Sequence, residues 1–194
     1  HIKRAAADLM GGPPPPEERP FTPLGKRVAI VGAGPAGLAA AHDLALIGFS
    51  VVLYEAFEKA GGMLRYGIPE FRLPRKVLET EIETILRIGV EIRTGTRIGD
   101  PFPVKQLLEQ YHAVLLAAGC YRSNPLRIPG EGLTGVYPGL WFMGEVCSGR
   151  APQVGKRVLV IGAGFTAFDC ARSALRLGAT RAFGEVLMAQ ANRA

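Results

Sequence analysis

Residues 28–55 read VAIVGAGPAGLAAAHDLALIGFSVVLYE, and this stretch decides the fold of the chain. An apolar run of strand length, Val28 to Val31, is followed by three glycines at G-x-G-x-x-G spacing: Gly32, Gly34 and Gly37. A helix rich in alanine and leucine extends to Ile47, a second strand covers Val51 to Tyr54, and Glu55 follows it. This order of strand, glycine loop, helix, strand and acid predicts a dinucleotide-binding βαβ unit.

Each glycine of this loop has its own physical role. Gly32 allows the tight turn from strand to helix, Gly34 lets a pyrophosphate approach the backbone, and Gly37 lets helix and strand pack closely. The helix start offers free N–H groups and about half a positive charge to the phosphates. Glu55 can accept hydrogen bonds from ribose hydroxyls. From this stretch alone, a glycine turn in another kind of βα unit stays open.

The composition is that of a globular α/β protein. The chain has 194 residues, 48% of them hydrophobic and 21% charged, with 25 glycines and 15 prolines that suit many short loops. No apolar run is long enough to span a bilayer, and the opening HIKRAAADLM lacks the apolar core of a signal peptide. The missing initial Met fits processing, a cloning remnant or a fragment of a longer polypeptide.

Cysteine spacing and net charge narrow the classes of function. The chain has three cysteines and no C-x-x-C pair among them: Cys120, Cys147 and Cys170. No zinc ribbon, iron–sulfur ligand set or redox dithiol is therefore encoded. A reducing, cytoplasmic compartment fits such isolated cysteines best. The net charge of +6 admits nucleic acid as a partner, but the sequence has no basic patch interleaved with aromatic residues and no binding motif. A basic surface that attracts anionic cofactors and an acidic protein partner fits better.

Composition and periodicity predict further elements around the opening unit. Residues 1–10 favour a short helix, and the proline-rich residues 11–20 favour an extended linker. A long loop over 56–75 is predicted to be functional, because structureless loops of that length are uncommon. The other predictions are helices over Lys76–Ile88 and Val104–Tyr111, strands over Val90–Arg93 and Ala113–Ala118 (the latter buried), no regular element over 122–139, and a short apolar segment over Trp141–Met143.

The opening unit occurs twice in the chain. VLVIGAGFTAFDCARSALRLGA, from Val158 to Ala179, repeats VAIVGAGPAGLAAAHDLALIGF in the same register, and GKRV stands at the start of both copies. Gly162, Gly164 and Ala167 take the three glycine positions. Two such units predict two different dinucleotides, usually a flavin and a nicotinamide. A second copy that is only structural stays open.

These motifs resemble the flavin-containing small subunit of glutamate synthase and the N-terminal flavin part of dihydropyrimidine dehydrogenase. GGMLRYGIPEFRLP over 61–74, AVLLAAG over 113–119 and IPGE over 128–131 extend the likeness, which covers roughly residues 25–180. GG-x-L-x-x-GIP-x-FRLP is far more specific than a glycine triplet. The resemblance implies an α/β fold with two dinucleotide-binding, Rossmann-like units, of which the FAD domain comes first.

The resemblance also implies which residues bind FAD. Gly32 to Gly37 would hold the pyrophosphate, and Glu55 would hold the adenosine ribose. The other residues implied at this site are Pro35 and Ala36 in the glycine loop, Gly62, Met63 and Leu64 on the flavin side, Arg72 of the FRLP motif, the backbone near Ile98 facing the adenine, and Gly119 near the pyrophosphate.

The second unit, by the same resemblance, binds NADPH. The residues implied at its phosphates are Gly162, Ala163, Gly164, Phe165 and Thr166. Hydride would pass from the nicotinamide to FAD, and electrons would leave singly through iron–sulfur clusters to a partner iron–sulfur protein or a larger catalytic subunit. The cofactors carry this chemistry, so we expect no catalytic acid, base or nucleophile in the chain.

The chain departs from the family pattern in ways that predict a fragment. The family places a cysteine-rich segment with [4Fe–4S] clusters before the linker, and those ligands are absent here. The nicotinamide domain and the last FAD-contacting segment are expected to extend beyond residue 194. By strict register Glu185 stands where Glu55 stands in the first copy, and an acid there favours NAD over NADP. RAFG is, however, a poor match to the strand VVLY.

We therefore expect three regions in the chain. They are an N-terminal helix and linker over 1–24, an FAD-binding domain over 25–150, and the truncated start of an NAD(P)-binding domain over 151–194. The function indicated is that of an FAD-dependent NAD(P)H oxidoreductase or its electron-input module. A non-catalytic flavin- or nucleotide-binding fragment is the alternative.

Overall fold

The computed structural model describes Ala5, Ala6, Leu9 and residues 22–185. The three early residues are helical, and the predicted linker over 11–20 lies outside the described residues. Contacts divide the chain into two units, and the domain limits expected at residues 24 and 150 stay a prediction. Unit 1 holds the described residues of His1–Leu64 and of Pro74–Gly119, and unit 2 holds those of Arg65–Leu73 and Cys120–Ala194.

Unit 1 is built on a parallel sheet of four strands. These are β1 (Arg27–Val31), β2 (Ser50–Tyr54), β3 (Glu91–Arg93) and β4 (Ala113–Leu116), in the spatial order β3-β2-β1-β4. β1 pairs with β2 from Arg27↔Ser50 to Val31↔Tyr54. It pairs with β4 from Val28↔Ala113 to Val31↔Leu116. Because the strands are parallel, their carboxyl ends share one edge, where such sheets bind ligands.

Helices cover both faces of this sheet and bury its central strands. α1 (Pro35–Leu46) and α3 (Arg75–Arg87) pack on the face that carries Ile30 and Leu53, which are fully buried. α4 (Val104–Gln110) packs on the opposite face, which carries Ala29 and Val52. Neighbouring residues of one strand thus enter different clusters, as the two-residue period of a strand requires. The predicted helices over Lys76–Ile88 and Val104–Tyr111 are confirmed to within one residue at each end.

The prediction of a buried strand over Ala113–Ala118 is wrong in its extent and its burial. β4 ends at Leu116, and the side chains of Leu115 and Leu116 are 40% and 63% exposed. β4 is an edge strand of the described sheet, with β1 on one side. An apolar run predicts a strand, but its composition does not distinguish an edge strand from a central one.

The long loop predicted over 56–75 contains one turn of helix. α2 (Met63–Tyr66) follows the Gly61–Gly62 pair, and α3 already begins at Arg75. The prediction of a continuous loop was therefore wrong at these residues. A helix of four residues is too short for hydrophobic periodicity to reveal.

Unit 2 contains the second copy of the fold. β5 (Arg157–Ile161), α6 (Phe165–Arg176) and β6 (Arg181–Glu185) follow one another, and the two strands pair in parallel. α5 (Gly139–Cys147) packs on α6 through a cluster that includes Phe142 and Cys170. α5 was missed, because the apolar segment Trp141–Met143 is shorter than one helical period.

The register of β6 differs by one residue from that of its counterpart in unit 1. Ile161 pairs with Glu185, whereas Val31, its counterpart, pairs with Tyr54. Glu185 therefore takes the place of Tyr54, and the prediction that it stands where Glu55 stands is wrong. The position of Glu185 therefore gives no reason to prefer NAD over NADP.

Candidate functional site

Two glycines of the first loop are required by the packing of the protein itself. Gly32 has a φ of 109°, and a Cβ there would lie 2.3 Å from the carbonyl oxygen of Ala117. A Cβ on Gly37 would lie 1.9 Å from the carbonyl oxygen of Gly32. Real Cβ atoms do not approach backbone this closely, so any larger residue would displace the loop. The tight turn and the close packing expected at these positions agree with this geometry.

Gly34 is not explained by protein packing. A Cβ there would meet nothing closer than the Cα of Gly62, at 3.7 Å, which is an ordinary contact. Its φ of −80° is one that any residue adopts. Bare backbone facing open space is what a pyrophosphate needs for close approach. The residues present therefore fit a phosphate group at Gly34.

The helix that follows the loop has an uncapped amino end. Gly34 is its N-cap residue and makes no side-chain capping hydrogen bond, Pro35 opens the helix, and the first turn contains no acid. Pro at this position needs no hydrogen-bond partner for its nitrogen, and Ala36 adds no polar side chain. The remaining N–H groups and the helix dipole are therefore available to an anion.

The predicted flavin-side segment is hydrogen-bonded to the first glycine loop. The N–H of Gly61 donates to the carbonyl oxygen of Ala33 at 2.8 Å. Gly61 and Gly62 have φ values of 124° and 51°, which favour glycine, and they lead the chain into α2. Met63 and Leu64 open that helix and are half-buried.

Glu55 at the end of β2 organises the glycine loop. The residue is 4% exposed, and its two carboxylate oxygens accept hydrogen bonds from the N–H groups of Ala33 and Phe57, each at 2.9 Å. A buried carboxylate needs such charge-assisted bonds. They use two of about four lone-pair positions, so acceptor capacity for ribose hydroxyls remains. The sequence predicted that Glu55 binds the ribose, but it did not predict that Glu55 accepts a hydrogen bond from the glycine loop.

Two further FAD candidates lie at different places in unit 1. Gly119 is exposed, with a φ of 74°, and follows shortly after Ala117, whose carbonyl oxygen lies over Gly32. Ile98 packs, half-buried, with the cluster around Tyr54 on the α4 face of the sheet. The structure thus brings the backbone near Gly119 to the glycine loop and places the Ile98 side chain in a core cluster.

Arg72 belongs to unit 2, whereas the other FAD candidates belong to unit 1. Its Nη1 donates to a carboxylate oxygen of Asp169 at 2.6 Å, and its guanidinium lies 5.6 Å from the centroid of the Phe165 ring. The contact between Arg72 and FAD stays a prediction. Asp169 was missed at the sequence level, although it is the one charged residue in the run VLVIGAGFTAFDCA.

The second glycine loop repeats the open geometry of the first. Gly162 has a φ of 138°, and a Cβ on Gly164 would meet nothing within 4 Å. Gly164 is the N-cap of α6 and makes no side-chain capping bond. Ala163, Phe165 and Thr166, which flank it, are exposed. These residues also fit a phosphate group.

Two buried side chains near the loops have raised pKa values. Burial, with a contribution from the Asp169 charge, raises the pKa of the Cys170 thiol to about 11. Burial and the hydrogen bond with Tyr111 raise the pKa of Tyr54 to about 12. Both groups therefore stay protonated at neutral pH, and the Cys170 thiol is a poor nucleophile there.

The described part of the chain has neither a metal-binding cluster nor a membrane-spanning helix. Within it, no three His, Cys, Asp or Glu residues are grouped so that they could hold a metal ion. None of its helices is both long and apolar enough to cross a membrane.

The parallel sheet, the two glycine loops and the acid after β2 define an α/β oxidoreductase fold with two dinucleotide-binding units. Residues 26–193 match the family model described as pyridine nucleotide-disulphide oxidoreductase. The chain belongs to this family. The predicted fold class and the predicted membership of an oxidoreductase family are thereby confirmed.

Named relatives make the likeness more specific. The chain is 48% identical over 166 residues to the NADP(+)-dependent formate dehydrogenase subunit beta of Moorella thermoacetica, with 84% of this chain and 24% of the relative covered. It is 41% identical over 174 residues to the glutamate synthase NADPH small chain of Halomonas elongata, with 84% and 37% covered. The resemblance to the glutamate synthase small subunit is thus confirmed. The chain spans 24% and 37% of the length of these two relatives.

A solved structure shares the fold. FprA of Mycobacterium tuberculosis in complex with NADPH superimposes with a TM-score of 0.69 at 27% sequence identity. The likeness covers 76% of this chain and 36% of FprA.

Proposed function

We propose that this chain is the electron-input part of an FAD-dependent NAD(P)H oxidoreductase. FAD would bind at the first glycine loop and NADPH at the second. The main support comes from two glycines, Gly34 and Gly164, which the packing of the protein does not require. Each leaves the backbone open at the start of a helix that has no side-chain cap. The similar FprA structure was solved with NADPH, and both named relatives carry NADP or NADPH in their names.

The FAD site would use backbone groups more than side chains. The loop from Gly32 to Gly37 would hold the pyrophosphate with the N–H groups of Gly34, Ala36 and Gly37, because Pro35 has none and those of Gly32 and Ala33 donate within the protein. Glu55 would accept hydrogen bonds from ribose hydroxyls. The other residues that we assign to FAD are Gly62, Met63, Leu64, Arg72, Ile98 and Gly119. Bound FAD would accept hydride from the nicotinamide and release electrons one at a time, and the chain positions the two groups.

The second site would hold the phosphates of the nicotinamide dinucleotide. Gly162, Ala163 and Gly164 supply bare backbone, and Phe165 and Thr166 supply the first N–H groups of α6. NADPH is our preferred donor, because the register of β6 removes Glu185 from the position where an acid would select NAD.

We further propose that the electrons leave for an iron–sulfur protein or a larger catalytic subunit. The support is that the relatives are named as subunits of a formate dehydrogenase and of a glutamate synthase, two enzymes with different substrates. A shared chain with different final substrates fits a common electron-input role. The three free cysteines support a reducing, cytoplasmic location.

A visible spectrum tests the proposal directly. We expect the chain, supplied with FAD, to bind it and to lose the absorbance of oxidised flavin when NADPH is added without oxygen, with NADH slower. Failure to bind FAD would overturn the proposal. Binding of FAD without bleaching by either nucleotide would support the alternative, a non-catalytic flavin-binding fragment.

A further inference from the structure

One face of α6 holds two consecutive residues of the segment 65–73. Phe71 and Arg72 both make side-chain contacts with this face. The residues of this face are spaced three or four apart and therefore lie in one row along the helix. We call this row the α6 cradle, and it consists of Phe165, Asp169, Arg172 and Arg176. Phosphate binding at the start of α6 does not explain Asp169, because its carboxylate has the same sign of charge as a phosphate.

The central contact of the α6 cradle is the ion pair between Arg72 and Asp169. The Asp169 side chain is 6% exposed and the Arg72 side chain 35% exposed, and the atoms that join them are 2.6 Å apart. A carboxylate that is buried so deeply is costly unless it is paired and hydrogen-bonded. Asp169 is therefore placed to fix the guanidinium of Arg72, which also lies over the ring of Phe165.

Phe71 is held beside this pair by two cations. The guanidinium groups of Arg172 and Arg176 lie 4.6 Å and 3.9 Å from the centroid of its ring. Two arginines one helical turn apart repel each other, and the negative face of an aromatic ring offsets part of that repulsion. Two adjacent residues of the segment are thus anchored to α6 independently.

The position of the segment in the chain gives the α6 cradle a functional meaning. Residues 65–73 follow directly after Leu64, the last of the three residues that we assign to the flavin side. α6 begins at the second glycine loop, which we assign to the nicotinamide dinucleotide. A segment that is joined covalently to the first assigned site is therefore fixed on the helix that forms the second.

We propose that Asp169 is a positioning residue for the reaction: through Arg72 it fixes the segment 65–73 on α6, and this restraint orients the flavin-side residues that directly precede the segment in the chain. The inference rests on the proposed function. Small misplacements of reacting groups cost up to about 100-fold in rate. Loss of the ion pair should therefore slow hydride transfer much more than it weakens binding of either nucleotide.

The first test needs no cofactor. Hydrogen exchange of the backbone amides of residues 66–73 is compared between the wild-type chain and Asp169→Asn, with Glu145→Gln as the matched control. Glu145 forms an ion pair with Arg150 at 3.0 Å in the same unit, and its side chain is less buried than that of Asp169. We expect exchange in 66–73 to rise at least about tenfold in Asp169→Asn and to stay unchanged in Glu145→Gln. Unchanged exchange in Asp169→Asn would overturn the proposal.

The second test separates alignment from binding. With FAD bound, the rate of flavin bleaching at saturating NADPH should fall about 10- to 100-fold in Asp169→Asn, while the Kd values for FAD and NADPH change less than about threefold. Arg72→Met alters a more exposed side chain and should lower the bleaching rate at saturating nucleotides by a similar factor if Asp169→Asn fails to fold, with weaker FAD binding as well because we assign Arg72 to FAD. The double variant should be no slower than Arg72→Met alone, because Asp169 acts through Arg72. Additive losses, or losses confined to Kd, would overturn the proposal.

These tests also distinguish this proposal from the proposed function. If the wild-type chain binds FAD but NADPH does not bleach it, both the proposed function and the alignment role fail. If the wild-type chain is bleached and Asp169→Asn is bleached at the same rate, the proposed function stands and the role of Asp169 falls.

Discussion

The two βαβ units carry nearly the same sequence pattern but differ in how much of it they bury. In unit 1 the helix after the glycine loop buries Leu38 and Ala45, which are 5% and 0% exposed. The residues at the matching positions of α6 in unit 2, Phe168 and Leu175, are 63% and 47% exposed. Local sequence thus specifies the same strand, loop and helix twice, while burial depends on the elements packed around them.

The surrounding elements explain this difference. Unit 1 has four strands and helices on both sheet faces, whereas the described part of unit 2 has two paired strands. α6 turns a different face inward, with Asp169, Cys170 and Ser173 buried near α5. On α6, Asp169 therefore forms a polar pair with Arg72, whereas the matching residue of α1 is Ala39.

The largest expected difference between the units concerns the first glycine of each loop. Gly32→Ala combines a strained φ with a Cβ placed 2.3 Å from a backbone oxygen, so we expect unit 1 to lose about 4 kcal/mol. Gly162→Ala meets strain, but its Cβ would lie 3.4 Å from the Cβ of Ala167, so we expect about 2 kcal/mol in unit 2. Hydrogen exchange, read separately for each unit, measures both. Equal losses of stability in the two variants would contradict the difference in packing between the two glycine loops.

A core substitution tests the difference in burial. Leu38→Ala leaves a cavity beneath α1 and should cost about 3 kcal/mol in a denaturant titration. Phe168→Ala, at the matching position, should stay within about 0.5 kcal/mol of the wild-type chain. A cost above 2 kcal/mol for Phe168→Ala would mean that this ring is buried in the folded protein.

The acids at the two strand ends should also behave differently. Glu55→Gln replaces a carboxylate that accepts two backbone hydrogen bonds, and we expect a loss of about 2 kcal/mol in stability and weaker FAD binding. Glu185→Gln is the control, because β6 places this residue where Tyr54 stands in unit 1. Its Kd for NADPH should stay within about twofold of the wild-type value. A matched loss in Glu185→Gln would contradict the register.

The smallest effect is a difference in alkaline stability. The Cys170 thiol has a pKa of about 11 in the fold against an ordinary value of 9.0, so the stability that it contributes is complete below pH 9 and is lost as pH rises to 11. For Tyr54 in unit 1 the window is pH 10 to 12. We therefore expect unit 2 to weaken first when unfolding is followed against pH. Cys170→Ala should flatten that response, and an unchanged response would rule out Cys170 as its cause.

Local features of this protein could be predicted from the sequence, and contacts between distant segments could not. The glycine loops, α1 and α3 follow from spacing and periodicity that act within a few turns. The pair of Arg72 and Asp169 joins residues 97 positions apart, and nothing in the spacing of either motif indicates it. The one-residue shift of β6 and the exposed edge at β4 likewise depend on pairing between strands, which composition does not reveal.

The central claim is that the two glycine loops bind two different dinucleotides, and the second glycine of each loop tests it most directly. Ala fits at both positions, because the φ values are −80° and −83° and the added Cβ would meet no close neighbour. The measurement is the Kd for FAD and for NADPH in Gly34→Ala and Gly164→Ala. We predict that Gly34→Ala weakens FAD binding at least about tenfold and spares NADPH, and that Gly164→Ala does the reverse. Equal effects of both variants on both nucleotides, or no effect of either, would contradict the account.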